Sequence, residues 1–430
     1  VLVMLIILMS CSTKKDAFLN RSFHSMSTKY NVLYNGNLAL EDGLEELNAN
    51  YQDNFWEQLP IEPLKVDRLA LPGMDADTDA SPEAFERAEE KAVKAVQKHS
   101  MVIVRQERNK QIDDAYLLLG KARYYSKRFV PALEAFNYII LNYPDADLID
   151  ETRIWQAKTQ IRLQNEEQAI LNLTALLKRT SDTKNDIAEK AHTALAMAYV
   201  ALDNKDKARY HLDQATQSDH NKEQTARNLF ILGQMHRSNT QIDSSNLAFQ
   251  KLIDLKQAPY RYVIRARIEK AKNVTDKLDA LAAKEELLNL IKDRDNRPYL
   301  NELYYQLGVI ESESDIDLAQ EYFEKSLQTN SGNNLQRELS YEALGNLYFD
   351  KAAFLTAGAY YDSIIRSTQM TNTKRVRRLT RKRNNLNEVI YYEGILQRND
   401  SILNVVGMTP EQQQTYYEAH IEHLKALEEK

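Results

Sequence analysis

The stretch from Asp114 to Pro144 constrains the fold more than any other part of this 430-residue chain. Its sequence, DAYLLLGKARYYSKRFVPALEAFNYIILNYP, predicts two short helices joined by a tight turn. Gly120 and Ala132 let the two helices approach closely where they cross, and Phe136 fills the space beside them. Pro144 ends the second helix because proline cannot continue it. Such pairs must stack, since each buries its apolar face only against its neighbours.

The spacing within this stretch resembles the tetratricopeptide repeat (TPR), in which a large residue, a Leu-Gly pair and a later Ala-x3-Phe precede a closing Pro. Related pairs recur at steps of roughly 36 to 39 residues, where the standard period is about 34. The small residue of each second helix marks the copies: Ala132, Ala169, Ala208, Ser245, Ala283, Ala319 and Ala357. The repetition predicts an all-α fold, a TPR-type right-handed superhelical solenoid of antiparallel helix pairs.

The composition favours a helical, well-packed protein and excludes other classes. Gly (11) and Pro (9) are scarce, while 27% of residues are charged and 43% are hydrophobic, which argues against a β-rich or disordered chain. The formal charge of -6 argues against a nucleic-acid-binding protein, because such domains usually carry a basic excess. A single Cys excludes internal disulfides and Cys-rich metal sites.

That Cys, Cys11, directly follows the apolar run VLVMLIILMS. A run of this length is too short to span a bilayer, which needs about 20 residues, but it suits the apolar part of an export signal. The residues LMSC at 8–11 resemble a bacterial lipobox, in which the Cys becomes lipidated. We therefore predict a lipoprotein signal peptide at residues 1–10 and lipidation of Cys11. The alternative is a trimmed apolar N-terminus, since no Lys or Arg precedes the apolar run.

Changes in the sequence pattern predict the remaining boundaries. Helical periodicity resumes at Glu83, which we interpret as the second helix of a unit whose first helix precedes a loop. The predicted regions are a lipidated tether (11–20), N-terminal capping helices interrupted by Gly36 and Gly43 (21–60), an irregular acidic and Pro-rich loop (61–82), a TPR-like solenoid (83–373), and a basic segment with C-terminal helices (374–430). Thr409 to Gln412 form a capping box that opens the last helix.

No pattern in the chain predicts catalysis or a bound cofactor. The sequence contains no phosphate-binding Gly-rich loop, no GxSxG and no Cys-His pairing. The run Asp75-x-Asp77-x-Asp79 resembles the start of a calcium loop, but Ala80 stands where the turn requires Gly, and we interpret the run as a solvated acidic linker. We predict a non-enzymatic protein with no metal, no cofactor and no small-molecule substrate.

Repeat geometry predicts a protein-binding groove along the first helices of the pairs. The candidate residues are Lys121, Tyr124, Tyr125, Met197, Arg227, Gln234, Arg237 and Tyr305. This mixture of aromatic and basic groups suits an extended peptide or a helix of another protein. The Lys-Asn clamp that grips chaperone C-termini is not reproduced, because Glu342 stands where Lys is needed beside Asn346. We therefore expect the groove to bind a protein segment other than a free C-terminus.

A basic run, KRVRRLTRKR, occupies residues 374–383. Its cations form a predicted basic surface: Lys374, Arg375, Arg377, Arg378, Arg381, Lys382 and Arg383. One interpretation is a solvated helix face, which is usual for charge runs. The other is contact with lipid phosphates or with an acidic partner. The run itself does not choose between them.

Five segments resemble one family: CSTKK (11–15), YNVLYNGN (30–37), QKHS (97–100), IDDAY (112–116) and NDSIL (399–403), which is followed by Met408. They are similar to the TPR lipoproteins of the type IX secretion and gliding-motility machinery of Bacteroidota, the PorW or SprE type. The resemblance implies a lipid-anchored, periplasm-facing outer-membrane scaffold. It further implies binding to translocon and periplasmic ring subunits, and therefore a link between the translocon and the ring or motor components, with no role for nucleic acid.

Two other classes remain as alternatives. A SusD-like or other TPR lipoprotein of glycan or nutrient uptake should carry Trp-rich sugar platforms, yet the chain has only Trp56 and Trp155. A lipoprotein enzyme that uses the repeats as a scaffold would need a catalytic domain, which these residues do not contain. Neither alternative accounts for the YNVLYNGN stretch beside the lipobox.

Overall fold

The computed structural model describes residues 12–66, 82–179, 185–274, 276–329, 334–368 and 373–428. The predicted signal peptide, Cys11 and most of the acidic loop, including Asp75, Asp77 and Asp79, lie outside these ranges. Within them nearly all regular structure is α-helical, which confirms the predicted fold class. In the same ranges we find no helix that is both long and apolar enough to cross a membrane.

The chain divides into two units, residues 1–267 and 268–430. Unit 1 contains helices α1 (Phe18–Ser27), α2 (Tyr34–Asn50), α3 (Glu83–His99), α4 (Ile112–Tyr125), α5 (Phe129–Asn142), α6 (Ile149–Arg162), α7 (Glu166–Arg179), α8 (Asp186–Ala201), α9 (Lys205–Ala215), α10 (Lys222–Ser238) and α11 (Ile242–Asp254), and most of α12 (Tyr260–Lys272). A π-helical turn (Thr28–Leu33) joins α1 to α2, and a short antiparallel hairpin of β1 (Val102–Ile103) and β2 (Gln106–Glu107) follows α3.

Unit 2 continues the alternation of first and second helices. It contains α13 (Lys277–Lys292), a 3-10 turn (Arg294–Tyr299), α14 (Leu300–Glu311), α15 (Ile316–Gln328), α16 (Asn334–Asp350), α17 (Phe354–Ser367), α18 (Lys374–Asn385), α19 (Asn387–Val406) and α20 (Pro410–Glu428). The predicted capping box forms at the start of α20, where Thr409 and Gln412 exchange two hydrogen bonds between side chain and backbone.

Close helix crossings hold the hairpins together, as the Leu-Gly and Ala-x3-Phe spacing predicts. A Cβ on Gly120 would lie 2.3 Å from the Phe136 ring, and one on Gly233 would lie 2.5 Å from Phe249. The same arrangement recurs in unit 2 at Gly308 with Phe323 and at Gly345 with Tyr361. The seven small residues that mark the repeats all lie on second helices, from α5 to α17, and all except the half-buried Ala283 are fully buried.

Five turns inside the described hairpins share one backbone geometry. Each of the five places a residue other than Gly in the left-handed region, with φ between 53° and 60°: Lys127, Gln164, Asp203, Thr240 and Ala352. The recurrence at equivalent places shows that repeats with weak side-chain patterns, such as α6 with α7, follow the same path as the clear ones. A left-handed residue costs about 1–2 kcal/mol for a side chain with a Cβ.

The N-terminal region differs from the predicted pair of capping helices at residues 21–60. Residues 18–50 form one continuous helix in which only the π-helical turn interrupts the α-helical pattern. Gly36 and Gly43 do not break this helix. Both lie where another side chain approaches too closely for a Cβ: Leu118 at Gly36 and the Phe85 ring at Gly43. Helix α2 packs against α3, and the residues between Asn50 and Glu83 separate these two helices along the chain.

A candidate peptide-binding groove in unit 1

Residues 51–66, which we call the groove segment, leave the end of α2 and run without helix or strand across the first helices of the hairpins. The segment contacts α12 and α10 near its start, and then α6 and α4 near its end. It therefore crosses the repeats in the reverse of their order in the chain. The groove that the sequence predicts for a partner is occupied here by the protein's own segment.

Four apolar side chains anchor the groove segment. Phe55, Leu59 and Ile61 are buried in the cluster formed by α8 to α12, and Leu64 is buried in the cluster formed by α4 and α5. The Phe55 ring meets Phe230 edge-on, with 5.2 Å between ring centroids, and the Arg265 guanidinium stacks over Phe55 at 4.0 Å. Burying four side chains of this size stabilises the docked segment by several kcal/mol, at roughly 1.5–3 kcal/mol each.

Arg227 of α10 is the main polar anchor at the start of the groove segment. Its two terminal nitrogens donate to the two Asp53 oxygens at 3.0 and 2.6 Å, and its Nε donates to the Pro60 carbonyl at 2.8 Å. It also donates to the Tyr262 hydroxyl at 2.8 Å. Arg227 is 3% exposed, so this bidentate pair lies where water screens it little.

Two glutamines of α10 bind the backbone of the groove segment. The Gln234 amide accepts from the Leu59 N–H at 2.9 Å and donates to the Glu57 carbonyl at 2.8 Å. Gln224 donates to the Ile61 carbonyl at 3.0 Å. These bonds replace the backbone pairing that a strand would have made, and they hold the segment extended through side chains alone.

Glu62 forms an ionic cluster near the end of the groove segment. Its carboxylate pairs with Lys158 and Arg162 of α6 at 2.5 Å each and accepts from the Tyr124 hydroxyl at 2.5 Å. Arg162 also donates to the Tyr124 hydroxyl at 3.1 Å. Burial raises the pKa of Glu62, but the two cations outweigh it and lower that pKa to about 2.

The structure brings some of the predicted groove residues together and leaves others apart. Tyr124, Arg227 and Gln234 bind the groove segment directly. Met197 packs half-buried against the cluster that holds Phe55 and Leu59. Tyr125 packs against the cluster that holds Leu64 and also stacks on Phe85. The remaining candidates lie elsewhere: Lys121 pairs with Glu151, Arg237 lies half-buried in the last turn of α10, and Tyr305 packs near Phe323 in unit 2.

Several residues that contact the groove segment are not among those that the repeat geometry predicts. Lys158, Arg162 and Arg265 lie on first helices that have no Gly to set the register. Gln224 lies one turn before the predicted Arg227. The groove segment that they contact was not predicted either, because the sequence pattern of residues 51–66 indicates the end of a helix followed by a loop. The one available signal is the row of apolar residues around Pro60 and Pro63, in a stretch that cannot be helical.

The predicted basic surface lies on α18, and the chain itself engages much of it. Arg375 pairs with Glu338 and Glu342 of α16, and Arg378 pairs with Glu342. Lys382 donates to Asn346 and stacks on the Phe349 ring at 4.1 Å, while Arg383 pairs with Asp362. Lys374, Arg377 and Arg381 are exposed, and with the mostly exposed Arg378 they follow one helical face.

One segment that carries the family resemblance, QKHS (97–100), lies beside the π-helical turn through His99. The His24 and His99 rings approach at 3.0 Å between their Nδ1 atoms, and Asn109 donates to both Thr28 Oγ1 and the His99 carbonyl. Burial and the His24 ring lower the pKa of His99. In YNVLYNGN, Val32 and Leu33 are buried, so this motif has an inner side that packs on the first hairpin.

The other side of the same helix exposes a row of apolar residues. They are Leu19, Phe23, Met26, Tyr30, Tyr34 and Leu38, each between 40% and 68% exposed. Their spacing of three or four residues places them along one side of the continuous helix 18–50. We call this row the N-terminal stripe. Packing within the described residues gives no reason for its composition.

The comparisons with known proteins address the repeats. Residues 114–146 match the tetratricopeptide repeat family. The match covers most of α4 and all of α5. A search of curated proteins found no match.

Three solved structures show low similarity to the chain. A tetratricopeptide repeat protein from Parabacteroides merdae has a TM-score of 0.43 and 15% identity, covering 62% of this chain and 96% of its own. The Cut9–Hcn1 hetero-tetramer of the APC/C gives 0.35 and 14%, covering 84% and 69%. The TPR2AB domain of yeast Sti1, solved in complex with pHSP90, gives 0.26 and 16%, covering 65% and 98%.

Proposed function

We propose that this protein is a non-enzymatic, lipid-anchored scaffold of the type IX secretion and gliding-motility machinery. In this proposal Cys11 carries the lipid, and the chain faces the periplasm from the outer membrane. The repeats bind protein partners and link the translocon to ring or motor components. The observation that carries the proposal is the YNVLYNGN stretch close behind a lipobox-like sequence, within a chain of TPR-type hairpins.

The geometry of the N-terminal helix supports this proposal. In YNVLYNGN, packing against the first hairpin accounts for Val32, Leu33 and Gly36. Tyr30 and Tyr34 instead point away from the hairpin and are 68% and 59% exposed. Exposed tyrosines in a row with Phe23 and Met26 are typical of a surface that contacts a partner or a membrane interface. The stripe begins only a few residues after Cys11, so a lipid at Cys11 would hold it near the membrane.

The groove of unit 1 supports the protein-binding part of the proposal. Its first helices hold an extended protein segment through a buried Arg, two glutamines and an ionic cluster, and the same groups suit an extended peptide of a partner. A TPR array that binds protein segments in this way serves assembly, and the described residues provide no comparable set of groups for a reaction.

Affinity purification from crosslinked host membranes tests the proposal. We expect a C-terminally tagged chain to recover translocon and ring subunits, and Cys11→Ala to lose them together with membrane attachment. Tyr30→Ala with Tyr34→Ala should weaken recovery, whereas the matched exposed pair Tyr391→Ala with Tyr392→Ala should not. Recovery of a TonB-dependent transporter with glycan-binding lipoproteins instead would assign the protein to nutrient uptake and refute the secretion proposal.

A further inference from the structure

The groove segment shows what the groove of unit 1 can recognise. From Asp53 to Leu64 it presents a carboxylate, an aromatic ring two residues later, a Leu four residues after that, and a second carboxylate nine residues after the first. We propose that the groove segment is a displaceable internal ligand, and that an extended acidic peptide of a partner protein with this spacing binds in its place.

Every contact that holds the segment can be reproduced by a peptide in trans. In the groove, Arg227 binds Asp53, and Lys158 and Arg162 bind Glu62. Gln224 and Gln234 bind the backbone of the segment. All of these groups belong to the first helices, so the recognition surface does not depend on where the bound chain begins. A peptide of similar sequence would meet the same donors and apolar pockets.

The groove segment can also leave without unfolding the repeats beneath it. Its side chains at 52, 54, 57, 58, 60 and 65 are exposed, so it lies over the groove and no other part of the described chain covers these side chains. The hairpins below are held by contacts that do not involve it, such as Gly233 against Phe249 and Gly120 against Phe136. Displacement therefore removes a surface ligand and keeps the fold.

Charge and burial favour replacement of the groove segment by another peptide over a groove that is left empty. The segment carries Asp53, Glu57 and Glu62 against one Lys65, whereas the groove presents Lys158, Arg162, Arg227 and Arg265. Without an occupant, Tyr124, Phe230 and Tyr262, which are fully buried, would lose their cover, and Arg227 would lose its carboxylate. A replacement ligand must supply the same chemistry, which explains why we expect an acidic, apolar peptide and not a basic one.

The covalent link gives the internal segment an advantage that the experiment must remove. A tethered ligand acts at an effective concentration on the order of millimolar, so a free peptide competes poorly with it. Binding should become visible when the internal copy is weakened. We therefore compare the full chain with a segment variant that carries Phe55→Ser, Leu59→Ser and Glu62→Gln.

The test measures binding of a fluorescent peptide with the sequence of residues 51–66 to these two purified proteins. We expect the segment variant to bind it at least tenfold more tightly than the unaltered chain. Addition of Arg227→Met to the segment variant should abolish binding, and a scrambled peptide of equal composition should not bind. The matched control, Arg179→Ala in the segment variant, changes a cation outside the groove and should leave binding unchanged.

Hydrogen exchange on the unaltered chain gives a second readout that does not depend on how well the variant folds. An excess of isotope-labelled peptide should speed exchange of the Leu59 amide of the chain, which donates to Gln234 at 2.9 Å, while α10 stays protected. Three results would overturn the proposal: no acceleration of this amide, equal peptide binding by both proteins, or binding that survives Arg227→Met. A dimer that exchanges segments between two copies would overturn it as well, because the occupant would then be the chain itself.

This inference rests on the proposed function only in taking the occupant to be a protein. The peptide experiment uses no secretion subunit, so its failure would leave the secretion proposal standing. Equally, recovery of nutrient-uptake proteins from membranes would refute the secretion proposal and leave the peptide specificity of the groove intact.

Discussion

In the two units, the first helices that form ion pairs with a covering element carry charges of opposite sign. In unit 1 the helices supply cations, and an extended segment supplies the carboxylates of Asp53 and Glu62. In unit 2 helix α16 supplies the carboxylates, Glu338 and Glu342, and the next helix supplies Arg375. Both predicted binding surfaces are therefore engaged by the chain itself.

The two units differ in how the element that covers the first helices, α18 or the groove segment, is attached to them. Helix α18 also buries Val376 and Leu379, and Leu379 joins the cluster around Tyr361, so its cations belong to the stack. The groove segment instead crosses the grooves of hairpins that are already complete. A charged row therefore does not reveal by itself whether its cover is part of the fold or a ligand. The secondary structure of the covering element separates the two, because α18 is a helix of the repeat stack and the groove segment is neither helix nor strand.

The largest effect on the free energy of unfolding is expected from a substitution of Arg227, which anchors the groove segment in unit 1. Arg227→Ala leaves Asp53 as a buried, unpaired carboxylate, which should lower the free energy of unfolding by about 3–5 kcal/mol. Denaturant unfolding followed by helical circular dichroism measures the change. The matched control is Arg179→Ala, whose exposed pair with Asp150 is worth no more than about 1 kcal/mol. Equal effects of the two substitutions would contradict the anchoring role of Arg227.

The next largest effect concerns pH. The pKa of Glu62 is lowered from its ordinary 4.5 to about 2, so its pairing adds stability that is fully present above pH 4.5 and is lost as the pH falls through about 2. We expect the unaltered chain to exceed Glu62→Gln in free energy of unfolding by about 3 kcal/mol above pH 4.5. That difference should disappear near pH 2. A difference that stays constant across this range would show that Glu62 acts through packing and not through charge.

In unit 2 a smaller effect is expected from Arg375→Ala. Arg375 bridges Glu338 and Glu342 at 2.9 and 2.6 Å, but it is 23% exposed, so water screens part of the loss. We expect the free energy of unfolding to fall by about 1–2 kcal/mol. Arg381→Ala on the same helix, which removes an exposed cation, should change it by less than about 0.5 kcal/mol. If Arg381→Ala proves the more damaging, the exposed face of α18 is structural.

The smallest effect should be the same in both units, because each has a hairpin turn with a left-handed residue that is not Gly. Ala352, exposed with φ of 57°, and Lys127, with φ of 60°, each occupy the left-handed region. Gly removes the strain there but makes the unfolded chain more flexible, so Ala352→Gly and Lys127→Gly should each raise the free energy of unfolding by about 0.5 kcal/mol. Thermal unfolding can resolve such a shift, and destabilisation by either substitution would show that the turn is not strained.

The sequence predicts the hairpins well because their determinants are local. A Gly on one helix meets an aromatic ring about 16 residues later, as at Gly120 with Phe136, and this spacing survives in the primary sequence. Even the divided first hairpin is predictable, since Glu83 resumes the helical period after the loop.

The occupied groove could not be predicted in the same way. Arg227 and Asp53 are 174 residues apart, and nothing in either neighbourhood marks the other. Phe55, Leu59 and Ile61 follow no helical period, and the prolines among them are typical of a loop. The partners of α18 are closer in the sequence, because Glu338 and Glu342 lie on the preceding first helix. A run of cations alone, however, does not specify which carboxylates it pairs with.

The reversed path of the groove segment has a consequence for the order of folding. The segment is synthesised long before α10 and α12, so its apolar side chains must wait while some 200 residues are added. A linear repeat array can fold outward from any hairpin, but this contact closes only after the hairpins between α4 and α12 have stacked. Docking should therefore be a late event that ties separate repeats into one cooperative block, and unit 1 should unfold as a whole where a simple array would fray from its ends.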